Sequence, residues 1–344
     1  MAGVAGFRKN QLLTSKYFKA MQEEEVMIMP SRIALASDKG VMGIMNDDAL
    51  EGLKQLPSAS FHMAVTSPPY YWARDYEVEG QIGHEDTVEQ YVDVLVTIFD
   101  EVKRALRPDG VFYLNIGDTY YSGNGQPRGS DPRSPSRNFM RRKLRAVDRS
   151  GWDIPKKSLI GVPWKVAFAL QKHGWTLRSD IIWNRINAFV EPTARDRPYR
   201  QYEHVFLFSK NRFYSYDRSA LVNGEDVWTI PIERGSHVGH SATFPKELVR
   251  KCILTGSPPR GFILDPFVGS GTTLEVALEL GRNAVGIDLC SGYFQAVVQM
   301  LLKKGCKVVE WQILDAALTE TFKEWKRWPG NKANFHKPGA NQTG

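Results

Sequence analysis

An α/β architecture, with a mostly parallel sheet and helices on both faces, is predicted for this chain by three observations. Short apolar runs bounded by turn residues alternate with segments of helical periodicity through most of its 344 residues. Two of the runs, Phe61 to Thr66 and Phe262 to Leu264, lead straight into Pro-rich or Gly-rich turns, where sheets of this kind build their sites. Hydrophobic residues make up 42% of the chain, enough for one large core. Residues 31–320 are therefore read as one domain between an arm (1–30) and a tail (321–344).

The arm carries little pattern beyond a helix-like stretch from Phe18 to Val26. Val41 to Met45 is an apolar run ending at Asn46-Asp47-Asp48, after which Ala49, Leu50, Leu53 and Leu56 keep helical spacing until Pro57. Phe61 to Thr66 is a predicted strand. Val88, Tyr91, Val92, Leu95, Phe99, Val102 and Leu106 share one helical face, and Arg107-Pro108-Asp109-Gly110 reads as a turn before the strand Val111 to Ile116. A helix follows from Pro163, capped at His173-Gly174, with strands at Ile181 to Trp183 and His204 to Phe208. The last third predicts helix Lys246 to Cys252, strand Phe262 to Leu264, helix Thr272 to Leu280, strand Ala284 to Ile287 and helix Gly292 to Lys303.

Composition narrows the function classes. No apolar run has the length of a membrane span, and the first residues are too polar for a signal peptide, so a soluble cytoplasmic protein is expected. Cys252, Cys290 and Cys306 have no Cys-x-x-Cys spacing, which argues against disulfides and against a metal site. The net charge of +7 points to an anionic partner. Residues 119–158 hold ten basic residues against three aspartates, an excess equal to that of the whole chain. This Gly-, Pro-, Ser- and Arg-rich stretch reads as a mobile loop inserted in the domain.

Two constellations carry chemistry. In Asp265-Pro266-Phe267-Val268-Gly269-Ser270-Gly271-Thr272-Thr273, two glycines between a strand and a helix let the backbone approach a ligand closely. The next strand ends in Asp288, where a carboxylate accepts hydrogen bonds from ribose hydroxyls. The third glycine of the dinucleotide fingerprint is missing and no Gly-Lys-Ser/Thr follows, so a nucleoside or amino-acid cofactor fits, and it need not carry phosphate. In Thr66-Ser67-Pro68-Pro69-Tyr70, consecutive prolines fix an extended backbone and leave carbonyls free to accept. Such a site suits a planar group bearing an NH₂, stacked on Tyr70. Ser257-Pro258-Pro259 shows that Pro-Pro also serves as a plain turn, but it precedes a predicted strand instead of ending one.

With Ser67 to Tyr70 ahead of Phe267 to Gly271, the chain resembles the amino-methylating DNA methyltransferases whose catalytic motif precedes the cofactor motif. The resemblance implies a Rossmann-like, circularly permuted fold that binds S-adenosyl-L-methionine, with Ser67, Pro68, Pro69 and Tyr70 catalytic. It implies a cofactor site of Asp47, Phe244, Pro245, Asp265, Phe267, Gly269, Ser270, Gly271, Thr272 and Asp288. Within it, Asn46-Asp47 resembles the acid that recognises the cofactor adenine, and His240 to Pro245 resembles the family's His-Pro-Ala-x-Phe-Pro segment, with Ser241 in place of proline. Leu159 to Trp164, Asp196-Arg197-Pro198 and Glu203-His204 also look like this family, without a role that chemistry alone supplies.

The implied reaction is in-line methylation of cytosine N4 in double-stranded DNA on a flipped base. In the family, serine at the first motif position goes mainly with cytosine N4 and Asp or Asn with adenine N6, so adenine N6 stands as the alternative. An inactive DNA-binding module is the alternative of another class. Methylation at cytosine C5 would need a nucleophilic thiol, and no cysteine follows a proline. DNA contacts are expected from Arg128, Arg133, Arg137, Arg141, Arg142 and Arg145 in the basic loop. Arg195 and Arg197 are expected to join them from a target-recognition region at 184–235, where Arg185, Arg200, Tyr199 and Tyr202 also lie. A cognate restriction endonuclease is an implied partner. Monomer and homodimer both remain open.

Overall fold

The computed structural model describes residues 30–76, 78–123, 146–150, 154–188, 196–221, 223–233 and 245–327. The expected helix at Phe18 to Val26 and the middle of the basic loop lie outside them. In chain order come β1 (Arg32–Ala36), β2 (Val41–Asn46), α1 (Ala49–Lys54), β3 (Phe61–Thr66), α2 (Val88–Ala105) and β4 (Leu106–Ile116). Next are α3 (Val162–Lys172), β5 (Thr176–Asn184), β6 (Tyr202–Ser209), β7 (Val227–Thr229) and α4 (Lys246–Gly256). The chain continues through β8 (Phe262–Asp265), α5 (Thr272–Glu279), β9 (Asn283–Asp288), α6 (Ser291–Lys303), β10 (Lys307–Val309) and α7 (Trp311–Arg327).

All strands join one sheet in the order β10-β1-β2-β9-β8-β3-β4-β6-β5-β7. Its centre, β2-β9-β8-β3-β4, is parallel throughout, and antiparallel pairs flank it on both sides. Side chains alternate between two cores. Phe61, Ala64, Phe112 and Leu114 pack under α1, α2, α3 and α7 on one face. Met63, Val65, Val111 and Tyr113 pack under α4, α5 and α6 on the other. Burial on both faces explains why the central strands read as continuous apolar runs.

Helix α2 shows how sequence sets the frame. Thr87 and Gln90 form a reciprocal capping box, and the Val88 N–H donates to Asp148 at 2.8 Å. The stripe expected from its spacing is buried, with Val88, Leu95, Phe99 and Val102 fully covered, each contributing about 1.5–3 kcal/mol.

Strand β3 continues through α2 to β4 on one side, whereas β8 continues through α5 to β9 on the other. Winding therefore reverses between β8 and β3, and a crevice opens beyond their carboxyl ends.

Three expectations need correction. Arg107 to Gly110, expected as a turn, lies inside β4: Leu106 opposes Phe61 and Val111 opposes Met63, so the extra residues are taken up as a register shift. The tail does not begin at 321, because α7 runs on to Arg327. The ends of the basic insertion are not loose. Tyr121 N–H donates to Ser158 O, Ser122 N–H to Ala146 O and Ile160 N–H to Thr119 O at 2.8–3.0 Å, and Asp148 is fully buried. Only its stem is described, and that stem is paired backbone.

Candidate active site

Strands β3 and β8 are neighbours, so the two motifs meet although far apart in the chain. Asp265, fully buried at the end of β8, accepts from Thr66 Oγ1 and Thr273 Oγ1, both at 2.5 Å, and from the Phe267 N–H at 3.1 Å. One carboxylate thus ties the end of β3, the Gly-rich turn and the first turn of α5. Burial pushes its pKa up to about 6, against the pull of those hydrogen bonds. The sequence placed Asp265 on the cofactor. It lies behind the cavity wall instead, as the pin that joins the two motif loops.

Beyond Thr66, Ser67, Pro68, Pro69 and Tyr70 all line a cavity of about 410 Å³. The Pro69 carbonyl accepts from Tyr91 Oη at 2.8 Å, which fixes the second proline. Tyr70 is held by its hydroxyl. It donates to Glu203 Oε2 at 2.6 Å and accepts from Ser67 Oγ at 3.2 Å and from Asn115 Nδ2 at 2.9 Å. Asn115 also donates to Glu203 Oε2 at 2.8 Å, and Arg185 Nη1 donates to Glu203 Oε1 at 2.7 Å. Burial, followed by the Glu203 charge, raises the Tyr70 hydroxyl well above its ordinary pKa and keeps it protonated. Behind the ring, a Cβ on Gly117 would stand 2.7 Å from Tyr70 Cε2. Only glycine lets the ring seat there.

At the other end of the cavity stand Phe267, Gly269, Ser270, Thr272 and Asp288, joined by Leu289, Cys290 and Tyr293. The two glycines differ. Gly269 has φ +50° and open space where a Cβ would project, whereas Gly271, at φ +88°, would place a Cβ 2.8 Å from Val297 Cγ2. Gly269 keeps backbone open to the cavity; Gly271, away from the wall, lets α5 pack on α6. Asp288 accepts from the Gly269 and Cys290 N–H groups at 2.8 and 2.9 Å, and burial pushes its pKa up to about 6.

Asp48, not Asp47, is on the wall. Asp47 spends its carboxylate on the Asp48 N–H and Gln55 Nε2, while Asp48 caps α1 at Leu50 and Glu51. Pro245 starts α4 away from the cavity, and Phe244 lies outside the described residues.

Arg74, Arg185 and Arg200 line the cavity, and Arg185, which donates to Glu203 and to the Arg200 carbonyl, stands at its Ser67 to Tyr70 end. Arg197 stacks on the Tyr120 ring at 3.7 Å, with Arg200 at 5.4 Å from the same ring. Arg128, Arg133, Arg137, Arg141, Arg142, Arg145 and Arg195 lie outside the described residues. Among the described residues, no His, Cys, Asp and Glu cluster could hold a metal ion, and no helix is long and apolar enough to cross a membrane. Asn115 and the role of Glu203 escaped sequence reasoning. The one available signal was a polar Asn at the carboxyl end of an otherwise apolar strand.

Comparison with known proteins agrees with this geometry. The N6/N4 methyltransferase sequence model, described as DNA methylase, matches residues 61–299. Type II methyltransferase M.Cfr9I of Citrobacter freundii is 42% identical over 275 residues, covering 77% of this chain and 89% of that protein. Type II methyltransferase M.SmaI of Serratia marcescens is 43% identical over 274 residues, covering 76% and 91%. The fold is shared with the PvuII DNA methyltransferase (cytosine-N4-specific), with TM-score 0.58, 19% identity and coverage of 82% and 91%. It is shared too with a putative DNA modification methylase of Thermus thermophilus complexed with S-adenosyl-L-methionine, with TM-score 0.53, 24% identity and coverage of 76% and 93%. From the length of these matches and the meeting of both motifs in one crevice, the chain belongs to the N6/N4 family of DNA methylases.

Proposed function

We propose that this protein transfers the methyl group of S-adenosyl-L-methionine to cytosine N4 in double-stranded DNA, with the target base turned out of the helix. Ser67 carries the choice of base: the first position of the Ser67 to Tyr70 motif is a neutral hydroxyl, the residue that the family resemblance associates with cytosine N4.

The cavity fits the methyl donor on its own chemistry. Gly269 leaves backbone open toward it, Phe267 and Tyr293 add aromatic surface, and carboxylates sit at Asp48 and Asp288. Asp288 would accept the ribose hydroxyls and Asp48 the exocyclic amine of the adenine. When bound, the cofactor supplies an electrophilic sulfonium methyl.

Everything else falls to the chain. A base amine is a poor nucleophile because its lone pair is delocalised into the ring. Ser67 Oγ and the Pro68 carbonyl each take one N–H, which draws the nitrogen toward tetrahedral geometry and frees the lone pair. Tyr70 stacks on the flipped base, worth about 1–3 kcal/mol against a flipping cost of a few kcal/mol. No covalent intermediate is needed, so catalysis rests on positioning. Arg185, Arg197 and Arg200 bring positive charge to the DNA end, and a restriction endonuclease of the same specificity is the partner that a Type II role implies.

The test is direct: incubate the protein with labelled S-adenosyl-L-methionine and unmethylated plasmid, digest to nucleosides and identify the product by mass spectrometry. N4-methylcytosine is expected; N6-methyladenine would overturn the assignment of the base.

A further inference from the structure

We propose that Glu203 sets the hydrogen-bond polarity of the catalytic site, making it a receiver of N–H groups that discriminates against a base carrying a carbonyl in place of the amine. The proposal rests on the reading that the substrate amine docks on Ser67.

Between Glu203 and Ser67 each hydroxyl and amide proton has one place. Glu203 offers only acceptors: Oε1 takes Arg185 Nη1 at 2.7 Å, and Oε2 takes Tyr70 Oη at 2.6 Å and Asn115 Nδ2 at 2.8 Å. Tyr70 has one hydroxyl proton and spends it on Glu203, so its oxygen faces Ser67 and Asn115 as an acceptor. Ser67 Oγ, at 3.2 Å, donates its own proton to Tyr70. What remains on Ser67 is lone pairs. The orientation of the Asn115 amide is set in the same way, since a flip would turn its oxygen toward the carboxylate.

Cytosine and adenine present N–H groups to such a site, whereas uracil and hypoxanthine present a carbonyl oxygen at the same place. Oxygen against oxygen leaves both unpaired, a loss of about ten- to a hundredfold in binding. Glu203 touches no substrate in this scheme. It is a positioning residue, acting through Tyr70 on Ser67.

Glu203→Gln tests the idea, because the new amide can donate to Tyr70 Oη and release the chain from its single direction. The site is first located by sequencing the methylated plasmid. Binding is then measured, with S-adenosylhomocysteine present, to a duplex carrying that site and to one with the target amine replaced by oxygen. The cost of flipping each duplex is common to all the proteins and cancels when their ratios are compared. The Gln variant is expected to shift the amine-to-carbonyl ratio about ten- to a hundredfold toward the carbonyl duplex. Glu203→Asp, which keeps the carboxylate, should hold most of the wild-type ratio, and affinity for S-adenosylhomocysteine alone should stay within about twofold.

Ratios for wild type and Glu203→Gln that agree within about threefold would overturn the proposal. If Glu203→Gln does not fold, Tyr70→Phe decides, since it keeps the ring and removes the relay, and an unchanged ratio there is equally fatal. Should the modified nucleoside be N6-methyladenine, the base assignment fails but the comparison runs unchanged with adenine and hypoxanthine.

Discussion

Cofactor affinity should depend on pH through Asp288, in a window that the structure defines. Its carboxyl lies at the end of β9 on the cavity wall, and burial lifts its pKa to about 6. The ribose hydroxyls assigned to it are donors, so the ionised form binds them better. Binding is therefore strong above pH 6 and is lost as pH falls through 6, where the free protein takes up a proton that the cofactor must displace. At one pH unit below that point the dissociation constant rises about tenfold, close to 1.4 kcal/mol. Calorimetry with S-adenosylhomocysteine from pH 5 to 8, in two buffers of different ionisation heat, reads both the affinity and the proton released. Asp265 titrates in the same range but stays off the cavity wall, so Asp288→Asn separates them. The variant should bind weakly, by about 1.5–3 kcal/mol at neutral pH, with a flat profile. A flat profile in the wild-type protein would refute the assignment.

Four further outcomes are expected. Asp265→Ala strands two threonine hydroxyls and the Phe267 N–H, and urea unfolding should show a loss of about 2–4 kcal/mol; a loss below about 1 kcal/mol would mean the motif loops do not depend on that pin. Gly271→Ala adds left-handed strain to a clash with Val297 and should cost about 2–4 kcal/mol of stability. Gly269→Ala meets no neighbour, so it should cost about 1–2 kcal/mol of stability and lower cofactor affinity by more than that; equal stability effects would contradict the division of labour. Alanine at Arg141, Arg142 and Arg145 should flatten the salt dependence of DNA binding by about 0.9 log unit per lost phosphate contact while cofactor binding is kept, and an unchanged slope would remove the loop from the interface.

Legibility followed the physics of each region. Strand β3 and helix α2 were readable because β3 is apolar on both faces and α2 carries a capping box and a long apolar stripe, all local signals. Strands β1, β7 and β10 went unseen. The last two are three residues long and pair at the sheet's edges, where partners outweigh propensity. Arg107 to Gly110 has turn chemistry, yet the pairing of β4 absorbs it, with Asn211 Nδ2 donating to the Pro108 carbonyl and Lys210 N–H to the Gly110 carbonyl.

At the site, the motifs announced the residues that face the cavity. They did not announce which acid lies behind the wall, because Asp265 and Asp288 both end strands and differ only in their neighbours. Glu203 was unreadable for a related reason: its meaning is the hydroxyl of Tyr70 in the loop beyond β3, a contact made only by folding.

The side-by-side placement of β3 and β8 also bears on how such a chain can be assembled. Each strand leaves the crevice through its own helix on its own face, and Asp265 joins the two loops by hydrogen bonds alone. Which motif is translated first is therefore immaterial to the finished site. A gene cut between the halves and rejoined in the opposite order would encode the same crevice, provided the new junction spans the old ends. Order along the polypeptide records the history of the gene, whereas the catalytic arrangement belongs to the sheet.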